Sequence, residues 1–336
     1  VHLNDITPKS LIGYACSYTP VELLSATGLR PYRLLHGDID LSSKGEKLVR
    51  VDACPMVKSN LAYVFANQEY FAALVGSTGC DMSRRMFDIF SELTDIPTYV
   101  FHNPRTENPK IYYDEIEWLA RHLETLSGKS FNKSIIADEI HKWGNMREEL
   151  RAIDRKRAAS PSSVSTSDFH RAAVNYYKGA FDAALSFCSS PSDKPRVYLL
   201  GSAITYEANE ILQILEKQLR IVGDFNCGLS RMLNINIRES TFDGITAAYH
   251  DQPPCAFKRP HYKFYEYVRG RISELNCVGI VAWTLDYCDV YEFEIKRIEQ
   301  QFGLPVLRIR SDFSYGNTTQ LRTRIDAFSE MLCTKT

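Results

Sequence analysis

Residues 72–81, Ala-Ala-Leu-Val-Gly-Ser-Thr-Gly-Cys80-Asp81, pass from an apolar β-type run into a Cys-Asp pair, and Met82-Ser-Arg-Arg-Met-Phe-Asp-Ile-Phe90 continues at helical spacing. Residues 279–289 repeat this grammar as Gly-Ile-Val-Ala-Trp-Thr-Leu-Asp-Tyr-Cys288-Asp289, followed by Val290-Tyr-Glu-Phe-Glu-Ile-Lys-Arg-Ile298. Each helix leads to a proline that opens another strand, and Pro97 and Pro305 both stand 17 positions after their cysteine. Cys54, in Val51-Asp-Ala-Cys-Pro-Met-Val-Lys-Ser59, has a similar setting. Strands alternating with helices predict a parallel sheet with helices on both faces. Thiols between a strand's carboxyl end and a helix's amino end point into the crevice where such sheets bind ligands. The helix terminus also favours the thiolate, the form that ligates metal.

The alternation extends in both directions. Thr19 and Pro20 open a helix that Gly28 stops. Residues 31–36 read as a strand, 59–66 as a short helix, 71–75 as a strand, 82–93 as a helix and 98–102 as a strand. From 113 to 156 the pattern is helical, with amphipathic runs at 115–123 and 140–153. Residues 158–168 are Ser-rich and aperiodic, which suits a linker. After a helix at 171–188, strand 196–200 runs into Gly201-Ser202, helix 206–217 follows, and strand 220–224 leads to Asp224-Phe-Asn-Cys227-Gly228. Segments 279–285 and 305–309 close the sheet. The expected fold is α/β, with two doubly wound, flavodoxin- or Rossmann-like parallel-sheet domains and an additional helical layer. The expected division is an N-terminal α/β domain at 1–110, a helical segment at 111–157, a linker at 158–170 and a C-terminal α/β domain at 171–336.

A net charge of -1 gives no electrostatic footprint for nucleic acid or an anionic membrane. No apolar stretch has the length of a transmembrane helix. The first residues lack a basic-then-apolar signal pattern, so the expected location is the cytoplasm. Nine cysteines in that compartment argue against disulfides. Cys188, Cys277 and Cys333 are read as small buried hydrophobes. Cys16, Cys54, Cys80, Cys227, Cys255 and Cys288 have loop-like settings, most of them beside Pro or Gly. Zinc would want paired spacing such as Cys-x-x-Cys, which is absent. Dispersed thiolates suit an iron–sulfur cofactor held in a cleft. Three would hold one cubane and six would hold two, and spacing does not decide whether six would divide by halves of the chain or mix.

Tyr14-Ala-Cys-Ser-Tyr-Thr-Pro-Val-Glu22, Asp52-Ala-Cys-Pro-Met-Val-Lys-Ser59, Thr78-Gly-Cys-Asp81, Gly223-Asp-Phe-Asn-Cys-Gly228, Tyr287-Cys-Asp-Val-Tyr-Glu-Phe-Glu294 and the tail from Tyr315 to Phe328 occur in this order. Together they resemble the 2-hydroxyacyl-CoA dehydratase and benzoyl-CoA reductase superfamily over nearly the whole chain. The resemblance implies two α/β domains around an oxygen-sensitive iron–sulfur cluster, with Cys54, Cys80 and Cys288 ligating one cubane. It implies a separate ATP-hydrolysing iron–sulfur activator that supplies low-potential electrons. No Gly-x-x-x-x-Gly-Lys-Ser/Thr loop occurs in this chain, in keeping with ATP use by a partner.

Cys16, Cys227 and Cys255, added to that trio, resemble the double-cubane reductase branch. The leading expectation is therefore a reductase with an [8Fe-9S] double cubane acting on a small substrate. The alternative is one subunit of a 2-hydroxyacyl-CoA dehydratase with one [4Fe-4S] cluster, an acyl-CoA substrate and a ketyl-radical elimination of water. A third reading is a non-catalytic electron carrier. A homodimer or a heterodimer with a related subunit is expected.

Ser17 and Glu22 are the candidate catalytic residues, although a first-turn helix dipole accounts for Glu22 completely and is the preferred reading. Ser17 and Tyr18 would hydrogen-bond a cluster or, equally, serve as capping and packing residues before Pro20. Arg84 and Arg85 would offset cluster charge or lie on a solvated helix face. His36 and His250 show no partner in sequence. Lys258 and Arg259 would meet an anion, and Asp81 and Asp289 would stabilise helix starts.

Overall fold

Short runs form the strands, and those of the inner strands are buried on both faces, as parallel sheets covered by helices require. In a computed structural model, which describes residues 6–159, 164–180, 193–314 and 318–334, these runs make two four-stranded parallel sheets. The first comprises β1 (Leu11–Tyr14), β2 (Arg30–Arg33), β3 (Phe71–Ser77) and β4 (Thr98–Phe101) in the order β2-β1-β3-β4. The second comprises β5 (Arg196–Gly201), β6 (Arg220–Asp224), β7 (Gly279–Leu285) and β8 (Val306–Ser311) in the order β6-β5-β7-β8. Strand order therefore reverses between β1 and β3 and again between β5 and β7. Such switch points open a crevice at the strands' carboxyl ends.

The surrounding helices are α1 (Val21–Ala26), α2 (Ile39–Gly45), α3 (Pro55–Ala66), α4 (Asp81–Leu93), α5 (Pro109–Ser127), α6 (Lys133–Ala158), α7 (Thr166–Tyr177), α8 (Asn209–Leu215), α9 (Phe242–His250), α10 (Tyr262–Glu274), α11 (Asp289–Phe302) and α12 (Thr318–Cys333). The two-sheet α/β architecture is as expected, with several local differences. The helix after Cys54 starts at Pro55, four residues before 59, because proline suits a first helical position. Helix α8 is shorter than 206–217. The helical stretch at 140–153 is the middle of the 26-residue α6. Helix α7 begins at Thr166, inside the Ser-rich segment. Ser165 accepts from the Asp168 amide while the Asp168 carboxylate accepts from the Ser165 amide, a capping box. The rest of the helix expected at 181–188, with Cys188, lies outside the described residues.

Alternation in β5 sets the core. Val197 and Leu199 join an apolar cluster that runs from Leu11 and Phe71 through Trp143 to Trp283, so it spans both halves of the chain. Tyr198 and Leu200 face a second cluster with Phe264, Val268 and Ile280. Helix α6 binds the halves together. Its Arg147 pairs with Glu22 at 2.7 Å, Arg151 donates to the carbonyls of Leu233 and Ile235, and Arg157 pairs with Asp224 at 2.8 Å. Cys277 is buried as expected, but Cys333 is exposed on the last turn of α12. No described helix is long and apolar enough to cross a membrane.

Candidate functional site

Three thiols stand at helix starts. Cys54, Cys80 and Cys288 are the residues immediately before α3, α4 and α11. Cys80 and Cys288 follow β3 and β7, strands that border the two switch points. Asp81 and Asp289 occupy first helical turns, as expected. None of the three sulfurs makes a regular capping hydrogen bond. Burial pushes the Cys54 thiol up to about 12, and the nearby sulfurs of Cys288 and Cys80 add to it; the amides of Met56 and Val57 oppose the rise. Burial likewise raises Cys80 to about 11 against the Ser83 and Met82 amides, with Cys288 as a further raising neighbour. Cys288 is raised by burial and opposed by the Ser202 hydroxyl and the Tyr291 amide. These three thiols therefore form one electrostatic neighbourhood, and a bound cation would favour their ionised forms.

The remaining three form another. Burial raises the Cys255 thiol, Arg231 lowers it, and Cys227 and Cys16 raise it. Tyr18 is raised by burial and by Cys255 and Cys16. The Ser17 hydroxyl lies 3.6 Å from Cys227 Sγ. The thiols thus group across the chain, Cys54 and Cys80 with Cys288, and Cys16 with Cys227 and Cys255. The two groups adjoin. A Cβ at Gly79, beside Cys80, would stand 3.7 Å from Cys16 Sγ, and the buried Tyr291 feels Cys227, Cys255 and Cys288 alike. Close backbone approach makes these loops possible. A Cβ at Gly228 would lie 1.7 Å from the Ile204 carbonyl oxygen, and one at Gly201 equally near that of Trp283.

Charge distinguishes the groups. Arg33 is 2% and Arg231 1% exposed, and neither has a carboxylate within ion-pair distance among the described residues. The equally buried Arg147 and Arg157 do have carboxylate partners, Glu22 for one and Asp154 and Asp224 for the other. Arg33 donates to the carbonyls of Ala15 and Cys227, at 3.1 and 2.6 Å. Arg231 donates to Tyr18 Oη at 3.1 Å and the Pro253 carbonyl at 2.7 Å, while its Nε and Nη1 have no partner among the described residues. Burial opposes the charge on Arg231, and Tyr18, Cys255 and Cys227 favour it. Lys258 is buried, donates to Asn103 and the Pro104 carbonyl, and feels Cys255 and Cys16. Buried cations without carboxylates are costly unless another anion compensates. Thiolates and an anionic cofactor supply that compensation, so this donor set fits a thiolate-held cluster.

Among the described residues no group of three His, Cys, Asp or Glu side chains is set to hold a metal ion. A polynuclear cluster separates its thiolate ligands further than one ion does, because each ligand binds a different iron.

The other expected residues fall outside these groups. Glu22 is fully buried, salt-bridged to Arg147 and accepting from Tyr249 at 2.9 Å, so a long-range ion pair replaces the dipole account. Arg84 and Arg85 are exposed on α4, and Arg85 pairs with Asp88. Arg259 donates to the carbonyls of its own loop. His36 and His250 have partners that sequence did not reveal, Glu207 at 2.9 Å and Asp251 at 2.7 Å. Sequence reasoning missed Arg33, Arg231, Ser202 and Tyr291. Only Ser202, following a strand at a switch point, carried a signal.

Two four-stranded parallel sheets, each with a switch point and with thiols in the loops beside it, define a doubly wound α/β protein. Residues 16–332 match the family described as 2-hydroxyglutaryl-CoA dehydratase, D-component, and the chain belongs to that family. It is 24% identical to "Putative dehydratase subunit YjiM" of Escherichia coli (strain K12), with 96% of this chain and 91% of that protein covered. It is 23% identical to the (R)-phenyllactyl-CoA dehydratase beta subunit of Clostridium sporogenes, covering 97% and 92%. Identity to the lactoyl-CoA dehydratase subunit beta of Anaerotignum propionicum is 21%, covering 97% and 92%.

Proposed function

We propose that the chain is a β-type subunit of a 2-hydroxyacyl-CoA dehydratase, with Cys54, Cys80 and Cys288 as thiolate ligands of an iron–sulfur cluster. The observation that carries this reading is the mutual proximity of three thiols at three helix starts, in a chain whose family and relatives are dehydratase components. When bound, such a cluster supplies a low-potential electron, delivered from a separate ATP-hydrolysing activator. The helix amino termini favour thiolate at each sulfur, and the Ser202 hydroxyl and Tyr291 amide oppose the rise that burial imposes on Cys288. The partner subunit would complete the acyl-CoA site. A cleft of about 460 Å³ lined by Asn236, Arg238, Asp243 and Gln252 borders the Cys16 loop, since the Gln252 amide donates to the Ser17 carbonyl. It offers polar groups to an incoming substrate.

A second reading is the six-thiol double-cubane reductase, favoured by the cationic surroundings of Cys16, Cys227 and Cys255. The dehydratase reading stands first because the relatives' names support it. Anaerobic purification with iron and acid-labile sulfide analysis separates the two. About four irons per chain, lost in Cys54→Ser, Cys80→Ser or Cys288→Ser and kept in Cys227→Ser, is the dehydratase outcome. About eight, halved by Cys227→Ser or Cys255→Ser, is the double-cubane outcome. Iron-free protein from anaerobic cells would reject both.

A further inference from the structure

We propose that Arg231 is the charge-holding residue of the Cys16, Cys227 and Cys255 chamber, donating its free Nε–H and Nη1–H to the sulfur anion held there. Lys258 and Arg33 second it, so negative charge added on reduction collects on this side and not beside Cys54, Cys80 and Cys288. The inference rests on the six-thiol reading and adds an asymmetry to it.

The geometry is specific. Arg231 is 1% exposed, and its guanidinium lies 4.5 Å from the Phe225 ring centroid and 5.2 Å from that of Tyr18. Its Nη2 is anchored by the Pro253 carbonyl, two residues before Cys255. That anchor leaves two buried N–H groups beside Cys255 and Cys227 with no partner among the described residues, a costly state unless an acceptor fills it. The Lys258 ammonium lies 4.5 Å from the centroid of the same Tyr18 ring, and Arg33 grips the Cys227 carbonyl. At Cys80 and Cys288 the neighbouring charges are instead acidic, Asp81 at one and Asp289 and Glu292 at the other. Hydrogen bonds to sulfur and nearby positive charge both raise the reduction potential of a cluster, and in a low dielectric the effect is large.

The test is a redox titration followed by EPR on the anaerobically purified full chain, with iron counted in each sample. Arg231→Gln is expected to retain its iron and to be at least tenfold harder to reduce, a shift of about 59 mV for one electron. Lys258→Gln should move the potential in the same direction by less. Loss of half the iron by folded Arg231→Gln also supports the proposal. An unchanged potential with full iron overturns it. If Arg231→Gln does not fold, Arg231→Lys decides, because it keeps the charge and removes the forked donors. Altered EPR line positions support the proposal, and an unaltered spectrum and potential overturn it. Failure of the underlying reading looks different, with wild-type protein holding about four irons that Cys227→Ser leaves untouched.

Discussion

At the residue scale, four arginines buried to the same degree have two different fates. Arg147 and Arg157 neutralise carboxylates, whereas Arg33 and Arg231 face sulfur and carbonyl oxygen. The Glu22–Arg147 pair makes a quantitative prediction. Glu22→Leu leaves a buried guanidinium without its counter-charge and should destabilise the fold by about 3–5 kcal/mol, read as a lowered urea midpoint. Adding Arg147→Met should recover most of that loss, because the apolar pair removes both charges together. Equal destabilisation in single and double variants would show that the cost comes from packing. The thiol positions were legible because strand, turn and helix follow one another within a few residues of Cys80 and Cys288. Glu22 was not, since its partner lies on a helix far along the chain. The grouping of the thiols was not legible either, because it arises from the packing of one sheet's loops against the other's.

At the element scale, the sequence revealed the elements beside Cys80 and Cys288 but missed others, long α10 and α12 among them. Strands β3 and β7 are seven-residue runs buried almost throughout, and their sequence reads the same way. Helices α2 and α9 were missed although Asp38 and Thr241 cap them, because seven and nine residues give too few turns for a pattern. Serine-rich composition concealed the start of α7, where a local capping box outweighs the average character of the segment. Ser165→Ala should therefore cost about 1 kcal/mol, measured by urea unfolding. A change within error would mean that burial of Phe169 and Ala173 alone fixes the helix start.

At the scale of the whole molecule, a histidine clamp joins the halves. The Glu207 carboxylate accepts from His36 Nδ1 and from the Gly37 amide at 2.8 Å, and the His36 ring stacks on Tyr63 with centroids 3.6 Å apart. Burial lowers the His36 pKa despite Glu207, and burial lowers His170 as well. The unfolded chain then binds more protons below about pH 6.5, so stability is full above that pH and falls as the medium is acidified. Urea midpoints at about pH 5, 6 and 7 should show this slope, and His36→Gln should flatten it, with His170 leaving a remainder. An unaltered slope would assign the dependence to other groups.

Because each group of three sulfurs draws on both sheets, neither is complete when the first sheet leaves the ribosome. Cys54 and Cys80 wait for Cys288, and Cys16 waits for Cys227 and Cys255. Under the proposed function, a cluster would be loaded only after almost the entire polypeptide has been translated. A nascent or prematurely terminated product would carry incomplete thiol sets exposed to oxidation.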